Sequence, residues 1–508
     1  MKSADVSGKA GAVWFGILAG TAMLAQPIAA RAQTLVDTSL GVTTVVSGLE
    51  QPIAMAFIGP NDILVTEKAT GRVKRITNGN VTGVVLDLAV NSASERGLLG
   101  IALHPEFPQV PFVYLYNTES TTGADSNVLA NVPLLGNRVD RFVWNGSTLA
   151  FNSNIIRLRA FQDDLNNVAD PNLPVLRGNH NGGVLTFGPD GKLYIIIGDN
   201  GRRGYTQNVL DGQVPDDAFG GPEPEDSHLT GVILRLNDDG SAPSDNPFFA
   251  IGKRRDGDHG DRDDGNNVVS TLGDEARANL QKVFAYGVRN SFGMTFDPKK
   301  GELWTTENGG RAFDEVNHVP RGFNGGWVQL MGPLSRVEDY KAIEVAAGIG
   351  ANGPNGLQQL RFLATDIADT SREARDRMFH VPGSKLTDPQ FSWKHVVPPA
   401  ALGFIDGNGL GQQYDGDLIV GSAVARPANA GHLYRFRLNG GRTRLIFNDP
   451  RLKDLVADNN ALDDFTTEGE EIRFGSNFGI VTHIQTGSDG ALYLVSPSAG
   501  SIRKITKN

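Results

Sequence analysis

The sequence contains no cysteine among its 508 residues, and this absence excludes several kinds of chemistry. Disulfide bridges, thiolate zinc sites, iron–sulfur clusters, covalently attached haem and cysteine nucleophiles all require a sulfur atom that the chain lacks. Any redox reaction must therefore depend on a cofactor that the protein binds.

Positive charge is also scarce. The 47 lysines and arginines are outnumbered by 57 acidic residues, which gives a formal net charge of −10. A surface of this sign repels a phosphate backbone, so we expect no nucleic-acid partner. The chain also lacks a Gly-x-Ser-x-Gly elbow, a His-Glu-x-x-His helix and a Walker loop. Serine hydrolases, zinc proteases and nucleoside triphosphatases therefore lose their usual sequence support.

Long apolar runs are confined to the N-terminus. Two lysines precede an apolar stretch from Ala10 to Ala25, and Ala30-Arg31-Ala32 follows it. This order is typical of a secretory signal peptide, whereas a membrane anchor needs about 20 apolar residues. We expect a signal peptide over residues 1–32, a mature domain over 33–508, no membrane span after cleavage, and a periplasmic or secreted location.

Glycine, in contrast, is abundant, with 62 residues in the chain. Many of these glycines belong to Pro/Asp/Gly turns that separate two alternating apolar runs, which is the pattern of a β-hairpin. Six segments fit this pattern: 59–64, 104–114, 188–194, 297–304, 414–419 and 487–493. Six antiparallel units favour a radial array, so we predict an all-β, six-bladed β-propeller. A β-sandwich or barrel is the alternative.

The uneven spacing between these hairpins leaves room for insertions. Residues 120–175 and 203–280 are polar and loop-rich, whereas Tyr340 to Arg377 has leucines near helical spacing. We therefore expect loop insertions and short helical insertions that cover one face of the propeller.

The polar cluster with the clearest chemistry surrounds the third hairpin. If its turn is centred between Pro189 and Asp190, facing residues have numbers that sum to 379, so His180 lies beside Asp199. A histidine oriented by a carboxylate is the simplest general base. A structural His–Asp pair at the rim of a blade is the alternative.

The next hairpin brings an arginine to the corresponding end of its own blade. There, Arg289 would bind a carboxylate or stabilise a developing oxyanion, unless it pairs with a local acid such as Glu307. Just beyond, the carbonyls of Gly309 and Gly310 and the carboxylates of Asp314 and Glu315 would form an oxygen-rich pocket of the kind that calcium occupies. The acidic run 256–264 is a second candidate for calcium, with a solvated loop as the alternative.

Four segments carry a family resemblance: residues 95–107, 180–199, 231–240 and 287–327. Together they resemble the glucose/sorbosone dehydrogenase family, the soluble aldose sugar dehydrogenases with a six-bladed propeller that use pyrroloquinoline quinone (PQQ) and calcium. The resemblance spans nearly all of the mature chain. The first and last segments are the most specific.

The resemblance implies a role for each candidate residue. His180 would take the hydroxyl proton at the sugar's anomeric carbon while hydride passes to the quinone, and Asp199 would orient His180. Arg289 and Asn290 would lie against the quinone, and the carbonyls of Gly309 and Gly310 would hold the calcium ion. A sugar substrate and a soluble or membrane electron acceptor are the implied partners.

The chain departs from the family at three places. Ile480 and Thr482 stand where quinone-binding members have two arginines that bind cofactor carboxylates. Arg426 is the nearest residue to the position of a cofactor-binding lysine. Glu95 stands where other members have a glutamine, and its carboxylate would repel an anionic quinone unless it is protonated or bound to metal.

Three functions remain open at this point. The first is a periplasmic quinoprotein dehydrogenase that oxidises an aldose or a related sugar. The second is a calcium-dependent, lactonase-like propeller hydrolase, in which His180 and Asp199 activate water and Glu95 is an added metal ligand. The third is a non-catalytic propeller that binds a sugar or a protein.

Overall fold

The computed structural model describes residues 32–160, 178–201, 229–251, 274–347, 363–423, 431–458 and 468–508. The predicted signal peptide, apart from its last residue, lies outside these ranges. So do Arg426 and the acidic run 256–264. In the part of the chain that is described, no helix has both the length and the apolar character needed to span a membrane.

The described residues are mainly β-strands, with three α-helices. The strands are β1 (Thr34–Leu35), β2 (Leu40–Ser47), β3 (Pro52–Gly59), β4 (Asp62–Glu67), β5 (Arg72–Thr77), β6 (Asn80–Asp87), β7 (Leu98–Leu103), β8 (Phe112–Thr118), β9 (Asn137–Trp144), β10 (Leu149–Leu158), β11 (Leu185–Phe187), β12 (Leu193–Ile197), β13 (Val232–Leu236), β14 (Val283–Tyr286), β15 (Met294–Phe296), β16 (Leu303–Glu307), β17 (Ala312–His318), β18 (Phe323–Asn324), β19 (Lys385–Leu386), β20 (Phe391–His395), β21 (Pro399–Phe404), β22 (Leu418–Ser422), β23 (His432–Leu438), β24 (Leu445–Ile446), β25 (Val456–Ala457), β26 (Arg473–Ser476), β27 (His483–Thr486), β28 (Leu492–Ser496) and β29 (Ser501–Lys507). The helices are α1 (Asp274–Lys282), α2 (Val337–Ala346) and α3 (Ser371–Arg377).

These strands form six sheets. In chain order, their innermost strands are β3, β7, β11, β15, β21 and β27, and each contacts the next, with β27 returning to β3. Each predicted hairpin turn lies between the innermost strand and the second strand of one sheet. The all-β propeller predicted from the sequence is confirmed.

The two ends of the chain close this ring. β2, near the N-terminus, pairs with the C-terminal β29 in an antiparallel register from Leu40 opposite Lys507 to Ser47 opposite Ser501. β1 adds to the preceding sheet by pairing with β26. This pairing completes the last sheet with a strand from the other end of the chain, so hydrogen bonds close the ring of sheets.

The core lies between neighbouring sheets, so the middle strands are covered on both faces. All five residues of β12 are buried, which explains why its sequence is a continuous run from Leu193 to Ile197 instead of an alternating one. Side chains of β12 pack with those of β8, β13 and β14 in one apolar cluster. Burial on both faces makes these strands the rigid support of the loops at their ends.

The register of the third hairpin differs from the prediction by one residue. Leu185 lies opposite Ile195 and Phe187 opposite Leu193, so facing numbers sum to 380 and not to 379. The turn contains three residues, and the third, Gly191, adopts a left-handed conformation with φ 70°. A three-residue turn with a left-handed final glycine is a common hairpin connection that the Pro-Asp-Gly pattern alone does not distinguish.

The helices of the 340–377 insertion lie at its ends. α2 begins at Val337, before the insertion, and α3 ends at Arg377. The predicted leucine pattern falls between them, where residues 348–362 lie outside the described ranges and Ala364–Asp366 forms only a short 3₁₀ turn.

Candidate active site

The ends of the third sheet's first two strands bring His180 and Asp199 together. Nδ1 of His180 lies 2.6 Å from Oδ1 of Asp199, and both side chains are buried. His180 has a left-handed backbone (φ 57°), and Gly182 and Gly183 after it also have positive φ. This irregular path before β11 absorbs the one-residue register difference, so the predicted contact is confirmed although the predicted register is wrong.

Asp199 is fixed by three further contacts. Oδ1 accepts the backbone N–H of Gly201 at 2.7 Å, and Oδ2 accepts Nε1–H of Trp327 at 2.9 Å. The backbone N–H of Asp199 donates to the carbonyl of Arg289 at 2.8 Å. Burial raises the pKa of Asp199, but the charge and hydrogen bond of His180 and the charge of Arg289 outweigh it and lower that pKa.

This arrangement determines the tautomer of His180. Because an ionised Asp199 is a hydrogen-bond acceptor only, Nδ1 of His180 must donate to it. The lone pair of the neutral ring is therefore on Nε2, which becomes the proton-accepting atom.

Arg289 occupies the adjacent sheet, beside the His180–Asp199 pair. Its Nη1 donates to the carbonyl of Asn308 at 2.7 Å, and its guanidinium carbon lies 5.4 Å from the centre of the Trp327 ring. The predicted local acid, Glu307, accepts the backbone N–H of Arg289 at 2.5 Å, so it contacts the main chain and not the guanidinium. In the described residues, Nε of Arg289 is buried without a hydrogen-bond partner.

Glu95 links three of the site's loops. Its Oε2 accepts the backbone N–H of His180 at 2.6 Å and lies 3.3 Å from Nδ2 of Asn290. Oδ1 of Asn290 and Oδ1 of Asn308 are both buried, and neither has a hydrogen-bond partner within the described ranges. Buried polar atoms of this kind normally bind a ligand or water.

The four predicted metal ligands do not form one site. Oδ1 of Asp314 accepts the backbone N–H of Gly309 at 2.8 Å, whereas Oε1 of Glu315 accepts the backbone N–H of Gly332 at 2.5 Å. Neighbouring residues on β17 point to opposite faces of the sheet, so the two carboxylates cannot face one ion. Across the described chain, no three acidic or histidine side chains converge in a geometry that could hold a metal.

The carbonyls of Gly309 and Gly310 are better placed. Both glycines are half-buried, and no donor from the described residues reaches either carbonyl oxygen. Glu344 of α2 lies against Gly310 and accepts the backbone N–H of Arg311 at 2.6 Å. Sequence reasoning missed Glu344, because α2 reaches this loop only through tertiary packing.

Burial raises the pKa values of the acids behind this loop. Burial raises the pKa of Asp314 to about 7 and that of Glu315 to about 7. The pKa of Glu307 rises well above its usual value for the same reason, and the charge of Glu315, directly opposite on the next strand, raises it further.

The raised pKa of Glu315 predicts a pH-dependent stability difference between the protein and Glu315→Gln. The pKa of Glu315 in the folded protein exceeds its value of about 4.3 in the unfolded chain, so the protonated acid favours folding. This contribution to the unfolding free energy is fully present below about pH 4.3 and is lost as the pH rises through about 7. The side-chain amide of the new glutamine can donate a hydrogen bond to Oδ1 of Asn317, which is buried without a partner in the described residues. In calcium-free buffer, the unfolding free energy of the wild type minus that of the variant should fall by at least about 1.4 kcal/mol, one pKa unit, between pH 5 and 8.

Urea unfolding of both proteins at several pH values measures this difference. Taking the difference removes the contribution of titrating groups that do not interact with Glu315, such as the half-buried His483. A difference that stays constant or grows with pH would contradict the raised pKa.

A cavity of about 580 Å³ runs between the innermost strands and opens beside the site. Its wall includes Glu95, Asn308, Ile480 and Thr482, as well as Lys68, a residue that the sequence analysis did not select. Its volume is within the range of small-molecule sites. Lys68 has no motif around it that points to a ligand, and only the folded ring brings it to the cavity.

Comparison with known proteins agrees with this geometry. The family model for glucose/sorbosone dehydrogenases matches residues 49–260 and 258–340. The chain belongs to the glucose/sorbosone dehydrogenase family. The matched region contains Lys68, Glu95, His180, Asp199 and Arg289, whereas Ile480 and Thr482 lie beyond it.

Two curated relatives and one solved structure illustrate the membership. The chain is 31% identical over 300 residues to quinoprotein glucose dehydrogenase B of Acinetobacter calcoaceticus, covering 57% of this chain and 52% of the relative. It is 27% identical over 287 residues to aldose sugar dehydrogenase YliI of Escherichia coli, covering 55% of this chain and 59% of the relative. The matched parts thus span only about half the length of these relatives.

The solved structure is an oxidoreductase of Thermus thermophilus, described as a glucose dehydrogenase. It aligns with a TM-score of 0.54 and 25% identity, and the alignment covers 92% of this chain and 99% of the other. The structural likeness therefore extends well beyond the segment that aligns with the curated relatives.

Proposed function

We propose that this protein is a PQQ-dependent sugar dehydrogenase. The observation that carries the proposal is the 2.6 Å contact between His180 and Asp199, with Arg289 beside them. Glu95, which accepts the N–H of His180, connects this pair to the cavity wall. Family membership supports the class of reaction, and the site geometry supports the assignment of roles.

His180 would act as the general base. Oxidation of a cyclic aldose to its lactone removes a proton from the anomeric hydroxyl and a hydride from the same carbon. Nε2 of His180 would accept the proton, and the ionised Asp199 would stabilise the resulting imidazolium. When bound, PQQ supplies the acceptor for the hydride.

The polar side of the site fits the cofactor. Nε of Arg289 and Oδ1 of Asn308 are buried and lack partners in the described residues, so they can bind polar atoms of a planar ligand. Arg289 would stabilise negative charge that develops on it during hydride transfer. The other side of the cavity has fewer charges, because Ile480 and Thr482 are uncharged.

Calcium would bind at the carbonyls of Gly309 and Gly310. Carbonyl oxygens are suitable ligands for a hard cation, which would supply positive charge beside the bound cofactor. Asp314 and Glu315 would lie behind the loop and would not be direct ligands, because main-chain N–H groups donate to their carboxyl oxygens.

We also assign one propeller blade to each of the six sheets, which gives the six-bladed count expected from the sequence. The closed ring of six innermost strands supports this count. Export to the periplasm, a mature domain over 33–508 and an external electron acceptor remain part of the proposal.

A binding titration tests the proposal. Full-length protein stripped of metal is mixed with PQQ, with and without calcium, and the absorption of the quinone is followed before dye reduction is measured with a panel of aldoses. We expect saturable binding that requires calcium, followed by sugar-dependent dye reduction. Arg289→Met should weaken binding by about 10- to 100-fold, because a charged hydrogen bond is lost.

The opposite result is equally clear. If folded, calcium-loaded protein binds no PQQ, the dehydrogenase proposal is wrong. The calcium-dependent, lactonase-like hydrolase would then be favoured, because an apolar cavity wall with Ile480 and Thr482 suits a neutral lactone better than a tricarboxylate. Hydrolysis of sugar lactones by the same preparation would distinguish it from a non-catalytic binding propeller.

A further inference from the structure

Lys68 is a buried cation in the wall of the central cavity. It follows β4 directly, and only 5% of its surface is exposed. Its backbone N–H donates to the carbonyl of Gln51 at 3.0 Å, and its own carbonyl accepts the N–H of Leu98. These main-chain hydrogen bonds fix the backbone of Lys68 between the first two sheets.

The ammonium group of Lys68 has little compensation for its burial. Nζ donates to the carbonyl of Ser92 at 2.9 Å, but no carboxylate in the described residues lies within ion-pair distance of it. The nearest acid, Glu95, already accepts hydrogen bonds from His180 and Asn290. Burial lowers the pKa of Lys68 to about 8, although the charge of Glu95 opposes this change.

By comparison, Lys74 on the next strand has an ordinary arrangement. Its Nζ lies 2.8 Å from Oε1 of Glu67, so its charge is balanced by a carboxylate. A buried lysine without a carboxylate partner is costly, and an anionic ligand would balance its charge.

The position of Lys68 in the cavity indicates what that ligand carries. Lys68 is the only lysine or arginine among the described residues of the cavity wall. The segment from Gln51 to Ile53 separates it from Thr482, whose hydroxyl donates to the carbonyl of Ile53 at 2.7 Å. Lys68 therefore belongs to the sheet that lies next to the one carrying the uncharged Ile480 and Thr482.

We propose that Lys68 binds an anionic group of the compound in the central cavity, specifically a carboxylate of PQQ. This inference rests on the proposed function, and it adds a binding residue that follows β4, in a different sheet from the one that Arg289 precedes. Two of the three N–H donors of the ammonium group are available for it, because Ser92 accepts one.

Binding of PQQ to the full-length, calcium-loaded protein tests this residue without any measurement of turnover. Lys68→Met should raise the dissociation constant by about 10- to 100-fold, and Lys68→Arg should restore most of the affinity. Lys74→Met is the matched control, since it removes a lysine from the adjacent strand outside the cavity, and its affinity should remain within a few-fold of the wild type.

An uncharged analogue of PQQ tests whether Lys68 acts through its charge or only through the shape of the cavity. The trimethyl ester of PQQ lacks the three carboxylate charges, so Lys68→Met should not weaken its binding further. Lys68→Gln, which keeps a polar side chain, gives the same comparison if Lys68→Met does not fold. Far-ultraviolet circular dichroism of each variant checks that it is folded.

Three results would contradict the role of Lys68, and they can be distinguished from one another. Wild-type affinity for PQQ in folded Lys68→Met would overturn the role of Lys68 alone. Equal weakening of PQQ and of its ester would show a structural effect and would also overturn it. Absence of PQQ binding by the wild type would overturn both this inference and the proposed function.

Discussion

Replacing His180 with glutamine should lower kcat for sugar oxidation by about 10²- to 10⁴-fold, the range expected when a general base is removed. The reason is that Nε2 of His180 is the proton-accepting atom, while Nδ1 is held at 2.6 Å by Asp199. Glutamine keeps a side chain of similar polarity but cannot take up a proton. The measurement is steady-state dye reduction by the PQQ- and calcium-loaded protein.

His318→Gln provides the control for this variant. His318 also forms a histidine–carboxylate pair, with Nε2 lying 2.7 Å from Oε2 of Glu302, but on β17 outside the cavity. Its substitution should leave kcat within a few-fold of the wild type. PQQ binding by His180→Gln should also persist, so a loss of turnover would be a catalytic effect. Unchanged kcat in folded His180→Gln would show that another group is the base.

Replacing Asp297 with alanine should destabilise the fold by about 3–5 kcal/mol, the cost of breaking a buried ion pair. Asp297 is in the turn after β15, and its side chain is fully buried. Its Oδ1 accepts Nε–H of Arg442 at 2.8 Å, and its Oδ2 accepts the backbone N–H of Lys300 at 2.7 Å. Arg442 belongs to the next sheet, so the pair joins two neighbours in the ring.

The large effect follows from what the substitution leaves behind. Arg442 is 8% exposed, and without Asp297 its buried charge would have no carboxylate of the described residues within ion-pair distance. Its guanidinium also donates to the carbonyl of Gly416 and lies 5.5 Å from the centre of the Phe404 ring, and neither group carries a negative charge. Urea unfolding followed by tryptophan fluorescence measures the loss, because Trp304 donates to the carbonyl of Arg442 and lies at this junction.

Asp87→Ala is the matched control for the stability measurement. Asp87 pairs with Arg72 at 3.3 Å, but 58% of its side chain is exposed, so its removal should cost at most about 1 kcal/mol. A loss below about 1 kcal/mol for Asp297→Ala would mean that the Asp297–Arg442 pair contributes little to holding the two sheets together.

Sequence reasoning succeeded where the contact lies within one hairpin. His180 and Asp199 are 19 residues apart, and the turn between them brings them together almost independently of the rest of the chain. The one-residue error in register arose because the number of residues in the turn depends on backbone angles that the Pro-Asp-Gly pattern does not specify. Six such turns were also enough to predict the propeller class.

Prediction was weaker for contacts between blades. Trp327 reaches Asp199 across 128 positions, and Asn290 reaches Glu95 across 195. Neither contact has a local pattern, because both depend on how the closed ring places the ends of separate sheets. Lys68 and Glu344 were missed for the same reason. The pairing of Asp314 with Glu315 as ligands was wrong because adjacent strand residues face opposite sides.

The sequence by itself determined the class of fold, the exclusion of cysteine chemistry and the hairpin that joins His180 to Asp199. Each of these depends on composition or on residues close together along the chain, where turn chemistry and strand alternation act directly. The tertiary structure alone decided which loops share the cavity, which carboxylates are occupied by main-chain donors, and that Lys68 is buried beside the site. These properties arise from the closure of the ring, which brings together residues that no local interaction connects.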